Sequence, residues 1–298
     1  MKIYLTVILY IIYTLLSMST TAILKKTQQG IKMTFFHVVA INLINSIFGA
    51  ACFFVLGKFH ISVSPVILIY ALIFSLFVSG NMILQIIVYS RISIALSSLL
   101  NTCGVIILST IFGIFVFKEP FSLQLLIAIT LLIIAVFLPG RKMLSANGGM
   151  VTFLICTLWV CVAAGMSIFS KIYSTDVRLT NTNSMFFFTN VFSFINCSII
   201  LSAGRIKNGS ESMRVVSKDV FCPRVLIPMG INTIPTNGIT LVGVILLRYM
   251  PLSVHSILTS SMVLIGAALL SLIVFKERLT RDNYISIVLA IIAIILRN

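Results

Sequence analysis

The chain is 298 residues long, 59% hydrophobic and only 9% charged, with a mean hydropathy of +1.17. Soluble domains run at about 45–50% apolar and about 25% charged, so this composition excludes an ordinary soluble enzyme, a disordered regulator and a secreted disulfide scaffold. The net charge is +15, but the basic residues stand singly between apolar runs instead of forming a stripe, which fits anionic headgroups and not nucleic acid.

In chain order, Lys2 is followed by an uncharged stretch from Ile3 to Leu24. That is too long for the core of a signal peptide and right for a membrane span. At about 20 residues per span, charges and turn residues divide the rest, predicting helices over 3–24, 33–56, 64–89, 93–117, 121–139, 150–170, 184–203, 225–247, 251–275 and 283–296. The connections are short except from Gly204 to Arg224, which holds Arg205, Lys207, Glu211, Arg214, Lys218 and Asp219 and reads as a solvated loop. Little chain remains for a soluble catalytic domain.

The six acids, Glu119, Asp176, Glu211, Asp219, Glu277 and Asp282, all fall at predicted helix ends or in loops. No carboxylate is expected inside a span, where it would be the default proton relay or cation site. The cysteines (Cys52, Cys103, Cys156, Cys161, Cys197 and Cys222) contain no Cys-x-x-Cys pair. They predict neither a metal site nor a disulfide framework.

An internal repeat sets the expected architecture. Val116-Phe117-Lys118-Glu119 recurs as Val274-Phe275-Lys276-Glu277. The same offset pairs Ser98 with Ser256, Leu100 with Leu258, Val105 with Val263 and Gly80 with Gly238. Each half then holds five spans. Five is odd, so the second half enters the membrane inverted. The expected fold is an all-α integral membrane protein of ten transmembrane helices in two inverted five-helix repeats, 1–144 and 145–298, with a substrate site at the bilayer midplane.

With these features the chain resembles the drug/metabolite transporter superfamily, and within it the EamA-type transporters. The resemblance rests on Tyr89-Ser90-Arg91-Ile92-Ser93 before a Ser- and Leu-rich helix and Phe117-Lys118-Glu119-Pro120 after it. In the second half Leu247-Arg248-Tyr249-Met250-Pro251 precedes Ser253–Ser261, and Phe275-Lys276-Glu277-Arg278-Leu279-Thr280 follows. It implies a carrier of small organic metabolites working by alternating access, commonly outward. The small four-helix multidrug relatives carry a Glu in the middle of their first helix. Here Tyr10-Ile11-Ile12-Tyr13-Thr14-Leu15 has none, so a carboxylate-based exchange of protons for cations is not expected.

Polar groups in lipid need partners, so their positions guide the search for binding residues. Asn81 and Gln85 share a face of the third helix, beside Ser79-Gly80. The eighth carries Asn232, Pro235, Thr236, Asn237 and Gly238, and a Gly or Pro interruption at matching depth in both halves points to a midplane site. In the fourth and ninth helices Ser97 matches His255 and Asn101 matches Thr259. His255 is a proton sensor, an anion ligand or a plain donor to a carbonyl. An offset of 146 sets Tyr13 against Trp159 and Lys25 against Lys171. Both aromatics fall mid-span, where they stack on substrate or pack. The expected substrate-binding set is Tyr13, Asn81, Gln85, Asn101, Trp159, Thr236, Asn237 and His255. The alternative use of these polar groups is interhelical hydrogen bonding.

His37, Asn42, Asn45, Asn190 and Asn196 read as glue between helices, with lining of the pathway as the alternative. Ser109-x-x-x-Gly113 and Ala267-x-x-x-Ser271 read as close packing. Glu119 and Glu277 read as caps of the following helices, with a part in gating as the alternative. There is no Gly-rich phosphate loop, no His-Glu-x-x-His and no paired carboxylate, so neither enzyme activity nor a cofactor is predicted. The expected partners are a small organic solute and the lipid bilayer, with no nucleic acid, and the expected location is a bacterial plasma (inner) membrane. A lipid-headgroup flippase, a non-transporting membrane assembly partner and a channel are the alternatives. Basic residues on the side of the termini number 7 against 14 on the other, which predicts termini outside the cytoplasm.

Overall fold

A computed structural model describes residues 3–28, 34–92, 94–118, 123–144, 149–176, 181–208, 216–276 and 281–297. The chain forms helices α1 (Ile3–Gln28), α2 (Phe35–Leu56), α3 (Pro65–Arg91), α4 (Ile94–Phe115), α5 (Leu123–Leu144), α6 (Gly149–Thr175), α7 (Thr182–Asn208), α8 (Pro223–Tyr249), α9 (Leu252–Leu269) and α10 (Arg281–Arg297). No strand occurs among the described residues. Among the described residues, seven helices are long and apolar enough to cross a membrane, namely α1 to α4 and α6 to α8. Shorter apolar stretches lie at Leu126–Ala135 in α5 and Ile265–Val274 at the end of α9. The chain is an all-α membrane protein.

The burial pattern is that of a protein in lipid. Along α8, Ile227, Ile231 and Ile234 are exposed while Asn232, Thr233 and Asn237 are buried. In water this arrangement would waste apolar area and strip polar groups of hydration. In a bilayer it is the favourable one, because isoleucine is at home among acyl chains and amides are not.

Two compact units make up the chain. The first comprises Met1–Met18, Arg91–Lys171 and Val242–Asn298; the second comprises Ser19–Ser90 and Ile172–Leu241. Neither coincides with a sequence repeat. In the first unit α4 packs against α9 and α5 against α10; in the second, α2 packs against α7. Each partner lies five helices further along the chain, so each unit draws helices from both halves.

In the first unit the core gathers Leu99, Cys103 and Ile106 of α4, Ala128 and Ala135 of α5, and Ile257 of α9. Ser109 and Gly113 of α4 and Ala267 and Ser271 beyond them are all buried. In the second unit Leu24, Ile41, Ile44, Met82, Ile86, Val225 and Met229 form the largest cluster. There α2 and α7 come so close that a Cβ at Gly49 would collide with the Asn190 carboxamide.

Two details depart from the sequence expectations. The segment after Gly204 is not a simple loop: α7 runs on to Asn208, residues 216–220 are helical, and Asp219 meets His37. The α-helical ladder was expected to run to residue 275, but at Leu270–Val274 it widens to a π-helical turn. Backbone geometry also repeats there, because Lys118 (φ 54°) and Lys276 (φ 50°), each just past a helix end, are both left-handed.

Candidate functional site

The first unit holds Tyr13, Asn101, Trp159 and His255. His255 sits in the first turn of α9, donates its backbone N–H to the Pro251 carbonyl, and is buried. The Tyr13 ring meets the imidazole edge-on at 6.2 Å between centroids. Tyr10, one turn earlier in α1, lies 6.0 Å from it. The Tyr10 hydroxyl is 3.4 Å from His255 Nδ1 and donates to Met250 Sδ at 3.1 Å. Thr259 donates to the His255 carbonyl. Trp159 is buried in α6, beside Val160, whose methyls fill the space a side chain at Gly104 would need. Asn101 in α4 has a buried Oδ1 with no hydrogen-bond partner.

Asn81, Gln85, Thr236 and Asn237 belong to the second unit. Asn81 and Gln85 are half-buried on α3, and Gln85 Nε2 donates to the Tyr89 hydroxyl at 3.1 Å. On α8 the Thr236 hydroxyl donates to the Asn232 carbonyl of its own helix. Asn237 is buried with Nδ2 unpartnered, and Asn232 is 1% exposed with both amide atoms unpartnered. Ser79 Oγ is a further buried orphan on α3. Pro228 and Pro235 lie inside α8. Each removes a backbone donor from the ladder, so α8 concentrates unmet hydrogen-bonding capacity around Asn232.

Of the polar residues read as glue, Asn42, Asn45 and Asn196 bond across helices of the second unit, while Asn190 donates to the Phe186 carbonyl of its own helix. Asn42 donates to Cys197 Sγ, Asn45 Nδ2 to Met82 Sδ, Thr233 to Asn45 Oδ1 at 2.8 Å, and Asn196 to Ser75 Oγ. Such bonds are worth about 0.6 kcal/mol each in lipid. His37 bonds the Thr34 hydroxyl at 2.6 Å and reaches Asp219 at 3.4 Å. The cap residues Glu119 and Glu277 lie outside the described residues.

Sequence reasoning paired Lys25 with Lys171 but assigned them no role. Lys25 Nζ donates to the Tyr89 carbonyl at 2.9 Å, at the end of α3. Lys171 Nζ donates to the Leu247 carbonyl at 2.9 Å and the Met250 carbonyl at 2.8 Å, at the end of α8. Tyr89 and Leu247 are themselves separated by the 158-residue offset of the Val-Phe-Lys-Glu repeat. A cation is the right group for the C-terminal end of a helix, where carbonyls lack partners and the dipole is negative. The signal was in the sequence as two lysines in otherwise apolar helices at matched positions. Tyr10, which joins His255 to Met250, had no such signal.

No family model and no curated protein matches the chain. Among solved structures, the crystal structure of one protein superposes with a TM-score of 0.60 at 15% sequence identity, covering 98% of this chain and 96% of that one. At that identity the likeness is one of fold, and it extends over nearly the whole of both chains.

Proposed function

We propose that the chain is a secondary transporter of small organic metabolites, amino acids among them, working by alternating access in a bacterial plasma membrane and resembling the EamA-type carriers. In this reading it has ten spans in two inverted repeats, 1–144 and 145–298, and it exports its solute. The pairing of α2 with α7, α4 with α9 and α5 with α10 supports the repeats. So do the matched Lys25 and Lys171 bonds and the left-handed Lys118 and Lys276.

The observation that carries the functional reading is the set of buried, unsatisfied amide atoms in lipid-type helices: both of Asn232 and Nδ2 of Asn237 on α8, and Oδ1 of Asn101 on α4. An amide desolvated without a partner costs about 1–3 kcal/mol by protein mutational measures. A fold does not need that cost. A hydrogen bond from a polar solute to such a group relieves it. Tyr13 and Trp159 then stack on the solute while Asn81, Gln85, Thr236 and Asn237 read its polar atoms.

The test is counterflow in proteoliposomes preloaded with unlabelled amino acids, nucleosides, sugars and quaternary amines, with external tracer offered one compound at a time. Accumulation of one class is the expected result. The double variant Asn81→Ala/Asn237→Ala is expected to abolish it at normal expression. Folded protein that accumulates none of them overturns the reading and favours a lipid-linked substrate; normal flux in the double variant removes those two asparagines from the site.

A further inference from the structure

Where α8 passes into α9, the first unit brings a lysine cation and several buried hydrogen-bonding side chains together. The Lys171 ammonium is pinned there by the Leu247 and Met250 carbonyls. Met250 immediately precedes Pro251, the N-cap of α9, which contributes no side-chain cap bond. The positive end of a helix dipole and a lysine cation therefore share one spot. Tyr10, 3% exposed, directs its hydroxyl at a thioether sulfur, a weak acceptor. His255, 6% exposed, stands 3.4 Å from the same hydroxyl. In the next position of α9, Ser256 Oγ is buried without a hydrogen-bond partner.

We infer that this cluster is a subsite for a single anionic group, a carboxylate, on the transported solute. The inference rests on the transporter reading above and sharpens its substrate class. The carboxylate would accept from Tyr10 in place of Met250 Sδ, sit against the Lys171 ammonium and take a further contact from the His255 ring. Charge-assisted bonds of this kind are roughly twice as strong as neutral ones and stronger still away from water. Lys25 provides an internal comparison. It caps α3 as Lys171 caps α8, its Nζ donating to the Tyr89 carbonyl, and it belongs to the second unit while Tyr10 and His255 belong to the first.

The experiment uses the full-length protein in proteoliposomes, with counterflow of short-chain hydroxy, amino and keto acids, each against its methyl ester. The acid is expected to outcompete the ester about tenfold or more, the range a charged hydrogen bond supplies. Lys171→Met is expected to bring that ratio near one, Tyr10→Phe to reduce it, and Lys171→Arg and Lys25→Met to preserve it. A purely structural role for Lys171 would lower flux without moving the ratio, and that result overturns the inference. If Lys171→Met does not fold, Tyr10→Phe and Lys171→Arg decide the matter through the same ratio. Esters exchanging as well as acids, or exchange confined to neutral solutes, overturns the subsite and leaves the transporter standing. Exchange of no solute at all overturns both.

Discussion

Lys118 and Lys276 occupy backbone positions that suit glycine. Each follows a helix end, each has φ near +50°, and each is exposed. A left-handed conformation costs a residue with a Cβ roughly 1–2 kcal/mol, a cost glycine escapes. Lys118→Gly and Lys276→Gly are therefore each expected to stabilise the protein by about 1 kcal/mol, less whatever glycine adds to the entropy of the unfolded chain. Thermal unfolding in detergent, followed by circular dichroism, checks this. An unchanged or lower Tm would mean that the lysine charge at that place contributes more than the strain removes.

The helices approach as closely as their smallest residues allow. At Gly104 of α4 any Cβ would collide with the Val160 methyls of α6. Overpacking at such a contact costs about 1–3 kcal/mol. Gly104→Ala is accordingly expected to lower the Tm or the yield of monodisperse protein, and Val160→Ala to restore it when combined. Recovery in the double variant is the informative outcome, because a loss unrelated to Val160 would remain. The same geometry at Gly49 makes Asn190 a wedge as well as a hydrogen-bonding group. Its Nδ2 donates to the Phe186 carbonyl of its own helix at 2.8 Å, while its amide fills the place of the missing Cβ. Helices that pack this way rely on van der Waals contact, since lipid offers no hydrophobic force to press them together.

At the scale of the whole molecule, the distribution of basic residues predicts how the chain lies across the bilayer. The connection after α2 carries Lys58 and Phe59, with Phe59 66% exposed. It is expected on the side of the termini, outside the cytoplasm. The end of α3, where Ser90 is exposed, is expected on the opposite, more basic side. In a background without native cysteines, Phe59→Cys should react with a membrane-impermeant maleimide on intact cells, and Ser90→Cys only after permeabilisation. The reverse pattern would turn the molecule over without altering the fold. The division into units operates at this scale too. Since α2 packs on α7 and α4 on α9, neither half of the sequence makes its own compact body.

Sequence alone determined that the chain is helical and lives in lipid, because span length and apolar content are local properties that the thickness of a bilayer reads directly. It also carried the matched Val-Phe-Lys-Glu motifs and the lysine pair. The expected helices 33–56 and 64–89 reappear as Phe35–Leu56 and Pro65–Arg91. Tertiary structure decided what no local pattern contains. It made Thr233 bond Asn45, far away in the chain, while the side chain of Asn232 beside it went without a partner. It turned Thr236 onto its own backbone and brought Tyr10 to His255. The reason is physical. Every polar side chain in an apolar helix shows the same need for a partner, but whether the need is met depends on which neighbouring helix comes within about 3 Å, and packing alone sets that distance.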